Sequence, residues 1–218
     1  MPKIGIGVTG YRRPDMVAQC TKHIHKHTTV DYRLIVHDDS ASEKGVAASK
    51  NSCMSSLMKM GVDHVFLFDD DTWPVADDWW VPYVESEEHH LSYLFKPVNW
   101  ENDMLLEQRG PLLLAYPFGQ GCFQYYTRHC LETVGGMRLC FGRWGSEHLE
   151  HSHRICNTGL TRHPFQGLVA QQGLFYASDE FATEPLTAVP KEIRREAQQR
   201  NPAFLNYWMH SKGFVPWS

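Results

Sequence analysis

The stretch Phe66-Leu67-Phe68-Asp69-Asp70-Asp71 constrains this chain more than any other, because an unbroken apolar run turns abruptly into consecutive carboxylates. Such a run reads as a strand buried on both faces, with charged side chains tolerated only where it emerges. Two other strand-like segments also end in polar residues. Lys3 to Val8 leads into Thr9-Gly10-Tyr11, and Tyr32 to His37 leads into Asp38-Asp39-Ser40. Helical spacing fills the intervals. Pro14 opens a segment to about His27 in which Met16, Val17, Cys20 and Ile24 recur on one face, and Val46 to Met60 is stopped by Gly61. This β-α-β-α-β alternation predicts an α/β fold with a mostly parallel central sheet flanked by helices. All three polar strand ends then fall at its carboxyl edge, where open α/β sheets bind ligands.

Farther along, the pattern predicts a helix from Asp77 to about Leu91 and a strand near Leu112 to Tyr116. A short helix from Thr127 to Val134 should end at Gly135-Gly136, and another from Gly145 to Ile155 should stop near Gly159. The charged tail from Pro190 to Lys212 is expected to be helical in its first half. With 218 residues and neither repeats nor a low-complexity linker, one domain over residues 1–218 is expected. Its parts would be a nucleotide-binding half (1–75), a metal and acceptor half (76–165) and a C-terminal tail with a helix (166–218).

Composition narrows the class. The six cysteines form no CxxC pair, which points to reduced, mostly buried thiols and a cytoplasmic setting. The N-terminus reads as a first strand rather than a signal peptide, and no apolar stretch approaches the ~20 residues of a membrane span. A net charge of -4 argues against nucleic acid held by a broad basic surface. Trp73, Trp79, Trp80, Trp100, Trp144, Trp208 and Trp217 lie mostly beside Gly, Pro or acidic residues, as aromatics in carbohydrate sites do, although core packing is the commoner use.

Three constellations carry chemistry. Carboxylates at Asp69, Asp70 and Asp71 are hard ligands suited to Mg²⁺ or Mn²⁺, and such a cation offsets charge on a departing diphosphate; the plainer alternative is that they cap a helix. Asp38 and Asp39 could accept from a base imide or a ribose hydroxyl, or simply close an Asx-turn. In Trp144-Gly145-Ser146-Glu147-His148 a turn opens a helix and sets Glu147 at its dipole-positive end, the alternative being a solvated charged face.

Taken in order, strand-Thr-x-Tyr, strand-Asp-Asp-x-Ser, strand-Asp-x-Asp, Gly-Gly and Trp-Gly-x-Glu resemble the nucleotide-diphospho-sugar transferases of GT-A fold. The closing motif is similar to that of polypeptide N-acetylgalactosaminyltransferases, β-1,4-galactosyltransferases and chondroitin-polymerase-like enzymes. The resemblance spans roughly residues 3 to 165. It implies that Thr9 and Tyr11 line the nucleobase pocket, that Asp38 or Asp39 binds uracil or ribose with Lys50 nearby, and that Arg13 and Asp70 join the donor site. Asp69 and Asp71 would hold Mn²⁺ or Mg²⁺ on the diphosphate of a UDP-sugar. Trp144 and Gly121 would line the sugar and acceptor site, and Glu147 would bond the donor sugar or the acceptor hydroxyl.

The chain departs from that family in two places. Inverting relatives carry an Asp base directly after the motif Glu; here His148 takes that place and can serve as a base. The family's metal-binding His lies farther downstream of the motif Glu than does His163, which is nevertheless the expected third ligand here, with His153 a competitor. The expected acceptor is a protein hydroxyl or a glycan, with a hydroxymethylated base in DNA ranked below them. Arg12, Arg13, Arg138, Arg143 and Arg154 are expected near the site, where they could meet a diphosphate or nucleic acid. Two rival functions remain: a metal-dependent hydrolase using Glu147, His148, Glu150, His151 and His153, and a non-catalytic nucleotide-sugar-binding module.

Overall fold

Strand β1 (Ile4–Gly10) is buried over its whole length and lies between two parallel neighbours, β2 (Tyr32–Asp38) and β3 (His64–Asp69). The computed structural model describes residues 2–95, 104–183 and 186–217; Trp100 lies outside them. Helix α1 (Pro14–His27) joins β1 to β2, and α2 (Val46–Lys59) joins β2 to β3, close to the expected bounds. Beyond β3 the sheet continues with β8 (Gln120–Thr127), antiparallel to it, and β5 (His90–Tyr93), antiparallel to β8. The order is β2-β1-β3-β8-β5, so four strands run one way and β8 runs against them. The amino end of β8 therefore meets the carboxyl ends of β1, β2 and β3.

The two faces of β3 explain its unbroken apolar run. Phe66 and Phe68 enter an aromatic core with Trp79, Tyr83, Phe123, Tyr125 and Phe175, on the side covered by Cys20 and Ile24 of α1. Val65 and Leu67 face the other way, against Cys53, Met54 and Leu57 of α2. Rings cross edge to face, as Phe66 and Trp79 do with centroids 4.9 Å apart. Burying each such side chain contributes roughly 1.5 to 3 kcal/mol.

The expected helix from Asp77 to Leu91 is a correction. Only α3 (Val81–Glu85) forms; Glu87 takes a φ of 59°, and His90–Tyr93 become β5. All four residues of β5 are buried and pair with β8, so long-range pairing overrides the local helical pattern. Around the main sheet lie the ribbon of β4 (Thr72–Pro74) with β10 (Phe175–Ala177), and a small sheet of β6 (Glu107–Arg109), β7 (Leu113–Tyr116) and β9 (Phe165–Leu168). Short helices α4 (Arg128–Val134) and α6 (Gln171–Leu174) punctuate the chain, and α5 (Glu147–Asn157) follows the Trp-Gly turn. The last helix, α7 (Lys191–Trp208), is longer than half the tail and carries Pro202 within it. Among the described residues, no helix is long and apolar enough to cross a membrane.

Candidate active site

A cleft of about 540 Å³ opens at the carboxyl edge of the parallel strands. Thr9, Tyr11 and Arg13 line it from the end of β1, Asp39 from β2, and Asp69, Asp70 and Asp71 from β3. Gly121 reaches it from β8, Trp144, Glu147 and His148 from the Trp-Gly turn and α5, and Asp179, Ala197 and Asn201 from the tail. Most of the predicted site residues thus come together in one place.

Cations already contact the acidic edge. Lys50, 1% exposed, places Nζ 3.0 Å from Asp69 Oδ1 and donates to the Gly121 carbonyl at 2.5 Å. Burial pushes its ammonium down, but Asp69 and Glu147 outweigh burial and hold the group above its ordinary value. Thr9 Oγ1 also donates to Asp69 Oδ1 at 3.0 Å. Arg13 grips both oxygens of Asp70 and donates to Asp71 Oδ2 at 3.0 Å. Even so, burial first and neighbouring carboxylates second raise Asp70 to about 7 and Asp71 to about 6, against the pull of Arg13.

This pattern bears on whether a divalent metal fits. Among the described residues, no three His, Cys, Asp or Glu side chains form a ready-made metal cluster. Asp69 Oδ2 and Asp71 Oδ1 nevertheless accept nothing among those residues, and both sit on an edge with negative charge to spare. Two hard oxygens suit Mg²⁺ or Mn²⁺, which takes its remaining ligands from water and phosphate.

Glu147 and His148 form the opposite wall. His148 Nδ1 lies 3.3 Å from Glu147 Oε1. Burial alone would raise Glu147, yet His148 and Lys50 bring it down to about 2, so the carboxylate is ionised at neutral pH. Gly121 makes the arrangement possible: a Cβ there would lie 2.8 Å from His148 Nδ1. Nδ1 facing a carboxylate leaves Nε2, which has no partner among the described residues, as the free ring nitrogen.

The nucleotide side is organised around Tyr11. Its hydroxyl donates to Glu43 Oε1 at 2.8 Å and accepts from Arg143 at 2.6 Å, while the Arg12 and Arg143 guanidinium carbons lie 5.1 and 5.3 Å from the ring centre. The two aspartates after β2 separate. Asp38 is exposed and closes an Asx-turn onto Ser40 N at 2.9 Å. Asp39 is buried and accepts from Lys44 N at 3.0 Å and Gly45 N at 2.7 Å, shaping the loop into α2.

Several expectations are not met by the geometry. His163 is not among the residues lining the cleft; it bonds Glu107 Oε2 at 2.6 Å. His153 packs edge to face on Phe165, with centroids 5.3 Å apart. Arg154, expected near the edge, is fully buried and clasps Glu150 at 2.8 Å while bonding the Val134 and Gly136 carbonyls. Arg138 also turns inward, 3.1 Å from Glu150 and stacked on Trp208 at 3.7 Å. The hydrolase cluster comes apart in the same way. Glu150 is committed to arginines, and the fully buried His151 lies between Tyr126 and the Gly135 carbonyl, held well below the ordinary histidine value chiefly by burial.

Sequence reasoning missed Asn201. This residue of α7 is 1% exposed and donates to the carbonyls of Phe141 at 3.1 Å, Trp144 at 3.0 Å and Gly145 at 2.7 Å. It clips the Trp-Gly turn in shape, with Gly145 at φ 84° and Ser146 at φ 75°. A lone Asn in a charged helix gives no local sign of such a role.

No protein-family model and no curated protein sequence matches the chain. Solved structures do. The mannosyltransferase PcManGT from Pyrobaculum calidifontis, in complex with GDP-Man and Mn²⁺, aligns over 72% of this chain at 16% identity with a TM-score of 0.54. S. aureus TarS, residues 1–349 in complex with UDP, aligns over 80% at 10% identity with a TM-score of 0.57. The chain spans only 53% and 60% of the lengths of those two proteins. The fold is therefore that of GT-A-type nucleotide-sugar glycosyltransferases.

Proposed function

We propose that this protein is a metal-dependent glycosyltransferase that moves a hexose from a UDP-sugar to a hydroxyl of a protein or glycan acceptor. The carrying observation is one cleft in which the Asp69–Asp71 edge faces the ionised, buried Glu147 across a GT-A-type fold. Nothing comparable supports the hydrolase alternative, because Glu150 and His151 are spent in the core.

In this reading Tyr11 and Arg143 hold the nucleobase end of the donor, and Asp39 keeps the adjoining loop in place. Asp69 and Asp71 would hold Mn²⁺ or Mg²⁺, which neutralises charge on the departing diphosphate. Lys50 and Thr9 both hold Asp69 Oδ1, so the other carboxylate oxygen stays available without reorganisation. Glu147 orients His148 through Nδ1–H, leaving Nε2 to take the proton of the acceptor hydroxyl. Trp144 floors the sugar, positioned by Asn201.

Residues from all three proposed parts of the chain wall the cleft, which supports a single catalytic unit over 1–218. The cytoplasmic setting rests on six unpaired cysteines, four of them buried.

Thermal unfolding with UDP and UDP-sugars, with and without Mn²⁺, tests the donor assignment. A ligand that binds only the folded state raises the midpoint by mass action. A manganese-dependent rise with UDP is expected; a folded protein indifferent to every nucleotide would overturn the proposal.

A further inference from the structure

Along the sheet order β2-β1-β3-β8-β5 the cleft changes character. Tyr11 and Asp39 wall it from the ends of β1 and β2, the Asp69–Asp71 edge from β3, and beyond that edge come Gln120 and Gly121 of β8 with Phe95, just past β5. The nucleobase and metal positions proposed above leave this last stretch, beside His148, to the acceptor. Its make-up is specific. Phe95 is 9% exposed and packs edge to face on Tyr93, an apolar wall backed by the core. Gln120 is partly exposed, and its Oε1 accepts from Phe95 N at 2.9 Å. A backbone N–H can only donate, so this bond fixes which end of the amide is oxygen. Nε2, the donor end, bonds nothing among the described residues, although the side chain lines the cleft.

A fixed amide donor next to an apolar wall matches a saccharide, whose ring carries hydroxyls at its edge and C–H groups on its face. Gly121 brings the proposed base to the same place. Because it has no Cβ, which would lie 2.8 Å from His148 Nδ1, the imidazole closes on β8 directly beside Gln120. We infer that Gln120 and Phe95 form an acceptor subsite for a saccharide, in which Gln120 Nε2 holds the hydroxyl neighbouring the one that His148 deprotonates. This rests on the transferase reading above and narrows its acceptor. A sugar ring supplies two adjacent hydroxyls, one to lose its proton and one to accept the amide hydrogen. A serine or threonine side chain supplies one, so the subsite favours glycan over protein.

The test follows transfer from a hydrolysable UDP-sugar to neutral gluco-, galacto-, manno- and xylo-oligosaccharides and to Ser/Thr peptides, each rate divided by that of donor hydrolysis without acceptor. The ratio cancels changes in donor or metal binding. Wild type should glycosylate at least one saccharide and prefer it to the peptides. For that saccharide, removing a hydroxyl beside the glycosylated one should lower the ratio about tenfold, the scale of one neutral hydrogen bond, and Gln120→Ala should do the same. Combined, the two changes should cost little more than either alone, because both remove one contact. A side chain that only braces Phe95 would give additive losses. Additive losses, preference for peptides, or donor hydrolysis without transfer to any saccharide overturns the inference. If Gln120→Ala does not fold, Gln120→Met, which keeps the length but neither polar atom, is held to the same outcomes. Absence of hydrolysis with every donor would instead count against the proposed function itself.

Discussion

Lys50 Nζ and Asp69 Oδ1 lie 3.0 Å apart with the lysine 1% exposed, so a buried cation stands directly behind the metal-facing end of β3. Its charge also reaches Glu147 and helps hold that carboxyl low. One ammonium therefore serves both walls of the cleft. Lys50→Met leaves two carboxylates sharing a poorly hydrated space. Stability should fall by about 3 to 5 kcal/mol in chemical denaturation, the range for removing one partner of a buried pair. Where the variant stays folded, UDP release should slow about a hundredfold. Unchanged stability would show that the pair contributes little.

Two glutamates one turn apart on α5 should behave oppositely. Glu147→Gln keeps the shape but removes the charge that orients His148, so turnover should drop about a hundredfold while UDP affinity holds. Glu150→Ala strands Arg154 and Arg138, which both contact Glu150 Oε1, and should destabilise the fold by about 3 to 5 kcal/mol. Steady-state kinetics and denaturation midpoints separate the two effects. A folded, stable Glu150→Ala would contradict the structural role given to it.

The raised aspartates give a pH signature in the metal-free protein. Asp70 and Asp71 stand at about 7 and about 6, above the ordinary 3.8, so the folded state binds more protons than the unfolded one. Their contribution therefore becomes less favourable as pH rises from about 4 to about 7, the reverse of an ordinary salt-bridged carboxylate. Metal ions compete with those protons. The rise in thermal midpoint produced by Mn²⁺ should widen between pH 5 and pH 7, roughly the window of these shifts. A metal effect of constant size across that range would count against the assignment of Asp71 as a ligand. Glu147, at about 2, is lost only at much lower pH and does not disturb the window.

Asn201→Ala removes the donor shared by the carbonyls of Phe141, Trp144 and Gly145. Leaving such groups unpaired costs about 1 to 3 kcal/mol. Because the same clip shapes the turn that carries Trp144 and Glu147, kcat should fall by about tenfold or more even where the fold survives. Restoration by Asn201→Gln is not expected, since the longer amide overshoots a buried site. Activity equal to wild type would remove α7 from the site.

How far the sequence speaks for the structure follows from the range of the interactions involved. β1 and β3 were legible because each is an apolar run ending in polar residues, and β2 because Leu34-Ile35-Val36 leads into Asp38, patterns contained within a few neighbouring positions. The same holds for Glu147, set at a helix start by Trp144-Gly145. β5 was misread because His90-Leu91-Ser92-Tyr93 becomes a strand only by pairing with β8, a partner far along the chain that no local pattern reveals. Arg154 was expected at the edge of the site, and its actual partners, the Val134 and Gly136 carbonyls, are revealed only by packing. Lys50 is a like case: its helix was legible, but not its position behind Asp69. Asn201 had no local signal at all.

The most direct test of metal-dependent sugar transfer is UDP release from a panel of UDP-sugars, measured with Mn²⁺ and with EDTA, in wild type and Asp71→Ala. Slow hydrolysis of at least one donor is expected even without an acceptor, present with Mn²⁺, abolished by EDTA and absent in a folded Asp71→Ala. Release that persists undiminished in EDTA or in Asp71→Ala would contradict the metal site, and no release from any donor by a protein that binds UDP would reduce it to a binding module.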